Sequence, residues 1–152
     1  MEENVLEDEA VKQAVIKAAN SLARCEQCRA GLERKLLQKE FSKETIKIAL
    51  DYMEEKGYLS DERYASCWVR NHCAFKFHGR IRVMKELLAR GISRQIASAA
   101  VEEYFSVNDE SEFCRKAYEK CVQQGKSEEK ILKSLIDSGF SYKMIQQTMK
   151  SV

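Results

Sequence analysis

The 152-residue chain contains no proline and only six glycines. These two residues disfavour helix most strongly, so their scarcity favours a largely helical protein. The chain also lacks any apolar run near the ~18 residues of a membrane-spanning helix, and its first ten residues, MEENVLEDEA, are acidic. These features predict a soluble, cytoplasmic protein that does not contact a membrane.

Motifs that carry catalysis are missing as well. The sequence has no glycine-rich phosphate loop, no nucleophile elbow and no His-Glu-x-x-His motif. The two histidines and the scattered carboxylates form no recognisable acid–base pair. We therefore expect a protein that acts by binding and is not an enzyme, without catalytic residues, bound metal or cofactor.

A repeated pattern is present instead. Three segments align on Ser42, Ser93 and Ser141, with apolar residues six and five positions before each serine and eight positions after it. This spacing indicates two amphipathic helices joined by a turn, with the serine as N-cap of the second. Glycine precedes the serine by two positions in the second and third copies, where a helix end needs left-handed backbone. Glu40 replaces it in the first copy, so we expect that turn to be the least regular.

The register extends to an earlier helix in each copy. Apolar residues recur at i, i+4 and i+8 in three sets: Ala14, Ala18 and Leu22; Ala65, Val69 and Cys73; Phe113, Ala117 and Cys121. The prediction is an all-α fold of three tandem three-helix repeats, at residues 1–57, 58–106 and 107–152. Repeats of this kind stack on their neighbours, so we expect an elongated, curved array.

The segment GYLSDERYA, residues 57–65, lies between the first two repeats. Gly57 is expected to end the third helix, and Ser60 or Asp61 to cap the next one. Asp61 and Glu62 also complement the positive N-terminal dipole of that helix. We interpret these acids as structural, not catalytic.

Positive charge is concentrated in the middle of a chain whose net charge is only +2. Residues 63–94 contain one acid, Glu86, and eight cations: Arg63, Arg70, Lys76, Arg80, Arg82, Lys85, Arg90 and Arg94. Charges on a solvated helix are usually paired at i, i+4, and Glu86 alone cannot pair with all eight. We interpret the set as a face that binds phosphates or carboxylates. Three earlier cations extend it, Arg29, Arg34 and Lys35, and Arg24 lies beside them, although Glu26 and Glu33 dilute the positive charge of this segment.

Aromatic and sulfur residues have simpler interpretations. Tyr64 and Trp68 are spaced i, i+4 beside the apolar stripe, which favours a place in the core over stacking on nucleic-acid bases. Cys73 and Cys121 occupy equivalent apolar positions and are expected to be buried.

Several segments resemble the RecX family of bacterial RecA regulators. GYLSDERYASCWVR (57–70) and HGRIRVMKELLARGIS (78–93) resemble its core signature. LARCEQCRAGLERKL (22–36) and KILKSLIDSGFSYKMI (130–145) are similar to the opening of its first repeat and the close of its third. The resemblance implies a protein of DNA repair, homologous recombination and the SOS response. It would bind the RecA recombinase, chiefly as its filament on single-stranded DNA, and inhibit ATPase activity, strand exchange and filament growth. We expect it to do so as a monomer.

Two other functions compete with this one. Helix-turn-helix pairs read the major groove in many DNA-binding regulators, and such a regulator would need no RecA partner. Cys25 and Cys28 have the spacing of half a zinc site or a redox pair, which would make the chain a metal or thiol switch. A structural zinc site needs two further ligands, and no second Cys-x-x-Cys is present.

Overall fold

The computed structural model describes residues 5–151, and the regular secondary structure in that range is α-helix. Nine helices are defined there: α1 Glu9–Arg24, α2 Arg29–Gln38, α3 Lys43–Glu55, α4 Asp61–Lys76, α5 Arg80–Ala89, α6 Arg94–Val107, α7 Glu110–Gln123, α8 Glu128–Asp137 and α9 Tyr142–Lys150. They form three successive groups of three, which confirms the predicted fold class of tandem three-helix repeats. The repeat boundaries after residues 57 and 106 stay a prediction. No helix in the described range is long and apolar enough to span a bilayer.

The third helix of each repeat begins as the sequence predicts. Ser42, Ser93 and Ser141 are the N-caps of α3, α6 and α9. Each serine Oγ accepts a hydrogen bond from the backbone N–H three residues later, at 3.1, 3.2 and 3.2 Å. The hydroxyl thereby pairs one of the N–H groups that a helix start leaves without a partner.

The turn before Ser42 is as regular as its counterpart in the third repeat, so the expectation about Glu40 is wrong. The N–H of Glu40 donates to the carbonyl of Leu37 at 3.0 Å, and residue 139 makes the same bond at 3.0 Å. Glu40 reaches this geometry with a φ of 69°, in the left-handed region, at a cost of about 1–3 kcal/mol.

In the second and third repeats the equivalent residue is glycine, and there the backbone also lies very close to a neighbouring helix. A Cβ on Gly139 would lie 2.3 Å from Cβ of Arg82, and one on Gly91 would lie 2.5 Å from Cβ of Ala30. In each case the turn between the second and third helices of one repeat meets the start of the second helix of the preceding repeat. Only glycine fits there without displacing its neighbour.

The described chain divides into two compact units. The first runs to Ala65 and includes Arg90–Ile92. Its core joins the apolar stripes of α1, α2 and α3 with Leu59, which follows the turn at Gly57 as predicted. The fully buried members of this core include Leu32, Leu36 and Leu50, and burying each such side chain contributes about 1.5–3 kcal/mol.

The second unit comprises Ser66–Ala89 and the chain from Ser93 onward. One of its buried clusters joins α7, α8 and α9: Cys114, Cys121, Ile131, Leu135, Phe140 and Ile145. Its other fully buried residues include Val69, Val83 and Leu87, which continue the predicted apolar stripes in α4 and α5.

Candidate binding site

Four of the eleven predicted binding residues form salt bridges with acids of this chain: Arg29, Arg63, Arg80 and Arg82. Glu86 pairs with Arg82 at 2.9 Å. Acids from outside residues 63–94 meet two other cations, since Glu26 lies 2.8 Å from Arg63 and Glu110 lies 3.1 Å from Arg80. The expectation that the basic stretch lacks acidic partners is therefore wrong for three of its eight cations, Arg63, Arg80 and Arg82. In the folded chain, acids that are distant in sequence lie next to two of these cations.

The helices α2 and α5 begin in the same way. The backbone N–H of Arg29, first residue of α2, donates to Oδ1 of Asp61 at 2.8 Å. The backbone N–H of Arg80, first residue of α5, donates to Oε1 of Glu110 at 3.0 Å. Asp61 and Glu110 each lie at the start of the next repeat's first helix. They cap the second helix of the repeat before, a role that the sequence does not reveal.

The guanidinium groups of these two arginines also have equivalent partners. Arg29 Nη1 lies 2.8 Å from Oδ1 of Asp51 on α3. Arg80 Nη1 pairs with Glu102, at the corresponding position of α6, while its Nε contacts Glu110. Each arginine therefore joins the start of a second helix to the third helix of its own repeat. Their first role is structural.

Arg82 and Arg63 also form hydrogen bonds to backbone carbonyls of this chain. Arg82 pairs with Glu86 and donates from Nη1 to the carbonyl of Asp137 at 3.2 Å. Burial raises the pKa of Glu86, but the hydrogen bond and charge of Arg82 outweigh it and hold that pKa below its ordinary value. The guanidinium of Arg63 donates to the backbone carbonyls of residues 57–58, both at 3.1 Å. These bonds fix the turn that precedes α4.

Five of the predicted cations are exposed and form no ion pair with another residue in the range 5–151: Arg34, Arg70, Lys76, Lys85 and Arg94. Lys85 lies in a shallow groove of about 490 Å³ between α5 and α8. Ile81 and Ile136 line the same groove and are 58% and 48% exposed. Arg82, Glu86 and Asp137 line it too, so this groove combines apolar surface with charges of both signs.

The remaining two predicted cations, Lys35 and Arg90, contact polar groups of this chain. Lys35 Nζ donates to Oγ of Ser21 at 2.9 Å and to Oε1 of Gln27 at 3.3 Å. Arg90 is hydrogen-bonded to the phenol of Tyr64. Burial raises the pKa of this phenol, against the lowering effect of Arg90.

A second concave surface, which we call the α1–α2 groove, was not predicted as a site, although Lys35 in its lining belongs to the predicted set. It has a volume of about 430 Å³ and lies in the first unit. Its cationic lining residues are Lys17, Arg24, Lys35 and Lys39, and among residues 5–151 no acid lines it. The signal was present in the sequence, because Lys17 and Arg24 are spaced i, i+7 and Lys35 and Lys39 i, i+4. Both spacings place two residues on one face of a helix.

Of the two aromatic residues whose spacing predicts a place in the core, Trp68 is buried and Tyr64 is only partly buried. Trp68 is 7% exposed, and its ring stacks on His72 with the centroids 3.4 Å apart. Tyr64 is half-buried. Phe77 has a φ of 53° and lies 6.3 Å from Phe113 between ring centroids. Phe75 is 79% exposed, so it is the aromatic of this group that presents a face to solvent.

The cysteines have unequal environments. Cys73 and Cys121 are buried, as predicted, and burial raises the pKa of the Cys73 thiol to about 12. Cys25 is exposed, whereas Cys28 is buried and its Sγ lies 3.6 Å from the carbonyl oxygen of Arg90. In the described part of the chain no three His, Cys, Asp or Glu side chains are grouped as a metal site requires.

Comparisons with known proteins place these observations in a family. The model of the RecX second three-helix domain matches residues 60–101. A regulatory protein RecX from Caldanaerobacter subterraneus subsp. tengcongensis is 30% identical over 138 residues, which cover 91% of this chain and 70% of that protein. A regulatory protein RecX from Treponema pallidum, strain Nichols, is 27% identical, with 90% of this chain and 84% of the relative covered.

The fold agrees with these sequence relationships. The crystal structure of RecX from Lactobacillus salivarius superimposes with a TM-score of 0.82 and 22% sequence identity, covering 94% of this chain and 96% of the other. The resemblance found in the sequence is thus confirmed over nearly the whole length. The chain belongs to the RecX family of regulatory proteins.

Proposed function

We propose that this chain binds the RecA recombinase, chiefly as its filament on single-stranded DNA, and inhibits ATPase activity, strand exchange and filament growth. The observation that carries the proposal is similarity to regulatory RecX proteins along 90% or more of the chain. The protein acts by binding, as a cytoplasmic monomer, and uses no cofactor.

The cations that pair with no described acid are the proposed contact residues. Arg70, Lys85 and Arg94 are exposed on α4, α5 and α6 of the second repeat. An exposed arginine or lysine gains most from a carboxylate or phosphate when no internal acid already neutralises it. Arg34 and Lys76 are further members of this set.

We propose a secondary role in partner binding for the four arginines that form internal salt bridges: Arg29, Arg63, Arg80 and Arg82. Their internal salt bridges are partly exposed, so a partner carboxylate can share the guanidinium. Their substitution, however, tests folding and binding together. The predicted set of eleven residues thus divides into structural cations and cations available to a partner.

The test is the single-strand-dependent ATPase activity of the cognate RecA, measured while this protein is titrated in. Wild-type protein is expected to inhibit below equimolar amounts, because blocking growth at one place affects many subunits beyond it. The variant Arg70→Gln/Lys85→Gln/Arg94→Gln is expected to need about tenfold more protein for the same inhibition, since it removes three charge-assisted contacts.

A matched control keeps the loss of charge constant. Lys120→Gln/Lys130→Gln/Lys133→Gln removes three exposed cations of the third repeat and is expected to inhibit like wild type. No inhibition by wild type, together with tight binding to duplex DNA alone, would favour the helix-turn-helix regulator instead. Equal loss in both variants would reject the second-repeat site while leaving the RecA partner in place.

A further inference from the structure

We propose that the α1–α2 groove is a binding site for phosphate groups. The site is separate from the second-repeat cations assigned to the recombinase above, and the proposal does not depend on that assignment. Four cations line the groove, two from α1 and two from α2 and its C-terminal end: Lys17, Arg24, Lys35 and Lys39.

The charge of the groove is not neutralised from within. Its other lining residues are neutral, and Lys17, Arg24 and Lys39 form no salt bridge with a residue in the range 5–151. Cations gathered in a concave surface raise the local positive potential more than the same charges on a convex face. The arrangement therefore attracts an anion, and an anion with several charged oxygens gains most.

One of the four ammonium groups is already positioned. Lys35 Nζ donates to Ser21 on α1 and to Gln27 on the α1–α2 connection. Both acceptors are neutral, so they hold the ammonium group without cancelling its charge. A pre-positioned donor loses less conformational entropy when it meets a ligand than a freely rotating lysine does.

The other two repeats provide an internal comparison. At the positions equivalent to Lys17, Arg24, Lys35 and Lys39, the second repeat has Trp68, Phe75, Glu86 and Arg90, and the third has Lys116, Gln123, Ser134 and Ser138, so each of these repeats has one cation where the first has four. All three repeats form the same helices. Packing of the first and second helices therefore does not require cations here, and the concentration of four in the first repeat calls for another reason.

The size of the groove fits a ligand with several phosphates. Its volume of about 430 Å³ lies within the ~300–1,000 Å³ usual for small-ligand sites. Lysine and arginine bind phosphate oxygens through charge-assisted hydrogen bonds. A free oligophosphate and the backbone of a single nucleic-acid strand share this chemistry, and the experiment separates them.

The experiment is isothermal titration calorimetry of the full chain, without recombinase, using sodium tripolyphosphate and a short oligothymidylate as probes. Lys17→Gln/Arg24→Gln/Lys39→Gln removes the three groove cations that make no hydrogen bond tying α1 to α2. We expect it to weaken binding of at least one probe by about tenfold or more. The third-repeat control Lys120→Gln/Lys130→Gln/Lys133→Gln, with the same net charge, is expected to stay within about twofold.

The two probes identify the source of the phosphates. Binding of tripolyphosphate alone assigns the groove to a small oligophosphate. Tighter binding of the oligothymidylate assigns it to a strand, and its salt dependence should then fall by about 2 log units per decade in the variant, at ~0.7 for each of three phosphates. Equal weakening in the control variant, or no binding of either probe to wild type, would overturn the proposal. Unchanged helical circular dichroism of both variants shows that folding does not explain the result.

Discussion

The backbone N–H of Arg29 and the carboxylate of Asp61 are joined by a hydrogen bond of 2.8 Å across 32 positions of sequence. Arg80 and Glu110 repeat the relationship one repeat later, at 3.0 Å. Cys28, the N-cap residue of α2, makes no side-chain capping bond of its own. An acid that begins one repeat therefore completes the helix start of the repeat before it, and this explains why acidic residues recur at the repeat junctions.

The first prediction concerns Asp61. Asp61→Ala is expected to lower the free energy of unfolding by about 1–2 kcal/mol, because the start of α2 loses its capping acceptor. Asp61→Asn is expected to cost less, since the amide oxygen still accepts a hydrogen bond. Asparagine also avoids a buried charge, and burial raises the pKa of Asp61. Urea unfolding at pH 7 measures both variants, and equal losses would contradict the capping role.

The second prediction separates structural from available cations. Arg80→Ala is expected to lower the free energy of unfolding by about 1.5–3 kcal/mol, because it removes the guanidinium hydrogen bond to Glu110, while the backbone N–H of residue 80 still donates to that carboxylate. The side chain of Glu110 is only 12% exposed and would lose its charged partner. Lys85→Ala is expected to stay within about 0.5 kcal/mol of wild type. Thermal unfolding of the two variants tests this difference, and an equally stable Arg80→Ala would show that the ion pair contributes little to stability.

The third prediction concerns glycines in the left-handed region. Gly139→Ala is expected to cost about 1–3 kcal/mol more than Gly125→Ala, because its Cβ would overlap Arg82. Gly125 has a φ of 72° but no atom within 4 Å of the added Cβ, so its substitution carries the backbone cost alone. Denaturant unfolding of the two variants isolates the close approach. Equal losses would mean that the turn yields easily around the new methyl group.

The fourth prediction is a pH dependence carried by His78. This side chain is buried, its Nδ1 has no hydrogen-bond partner among the described residues, and burial lowers its pKa to about 4. Below the ordinary value near 6.5, the unfolded chain binds a proton that the folded chain does not. Stability is therefore lost as pH falls from about 6.5 to 4, with this one group contributing at most ~1.4 kcal/mol per pH unit.

His78→Gln removes the titrating group while keeping a polar side chain. Its stability is expected to change less steeply over that pH range than that of wild type, whatever its stability at pH 7. The slopes of unfolding free energy against pH give the comparison. Parallel slopes would show that His78 does not carry the dependence.

The sequence predicts those parts of the fold that depend on local pattern. The serine caps, the glycine turns and the apolar stripes repeat at fixed intervals, and each is recognisable within about fifteen residues. The partners of Arg63 and Arg80 are 37 and 30 positions away, and helix packing alone brings them together. The prediction of an unpaired basic stretch was wrong for Arg63 and Arg80 because it counted acids along the chain, whereas ion pairs form between residues that are close in space.

The cations of the α1–α2 groove lie together in the structure but are separated in the sequence. Three of its cations have an acid close by in the sequence, because Glu26 is near Arg24, Glu33 is near Lys35 and Glu40 is next to Lys39. In the structure those acids lie outside the groove, whereas the four cations line it. Comparison of equivalent positions among the three repeats, instead of charge along the sequence, would have revealed the difference.

Co-sedimentation of this protein with the cognate RecA assembled on single-stranded DNA, compared with the same DNA without RecA, tests whether the recombinase filament is its partner. We expect the protein to sediment with the filament at concentrations where it stays in the supernatant with bare DNA. We also expect Arg70→Gln/Lys85→Gln/Arg94→Gln to shift it back toward the supernatant. Equal sedimentation with and without RecA, or none with the filament, would contradict the claim that the recombinase filament is its partner.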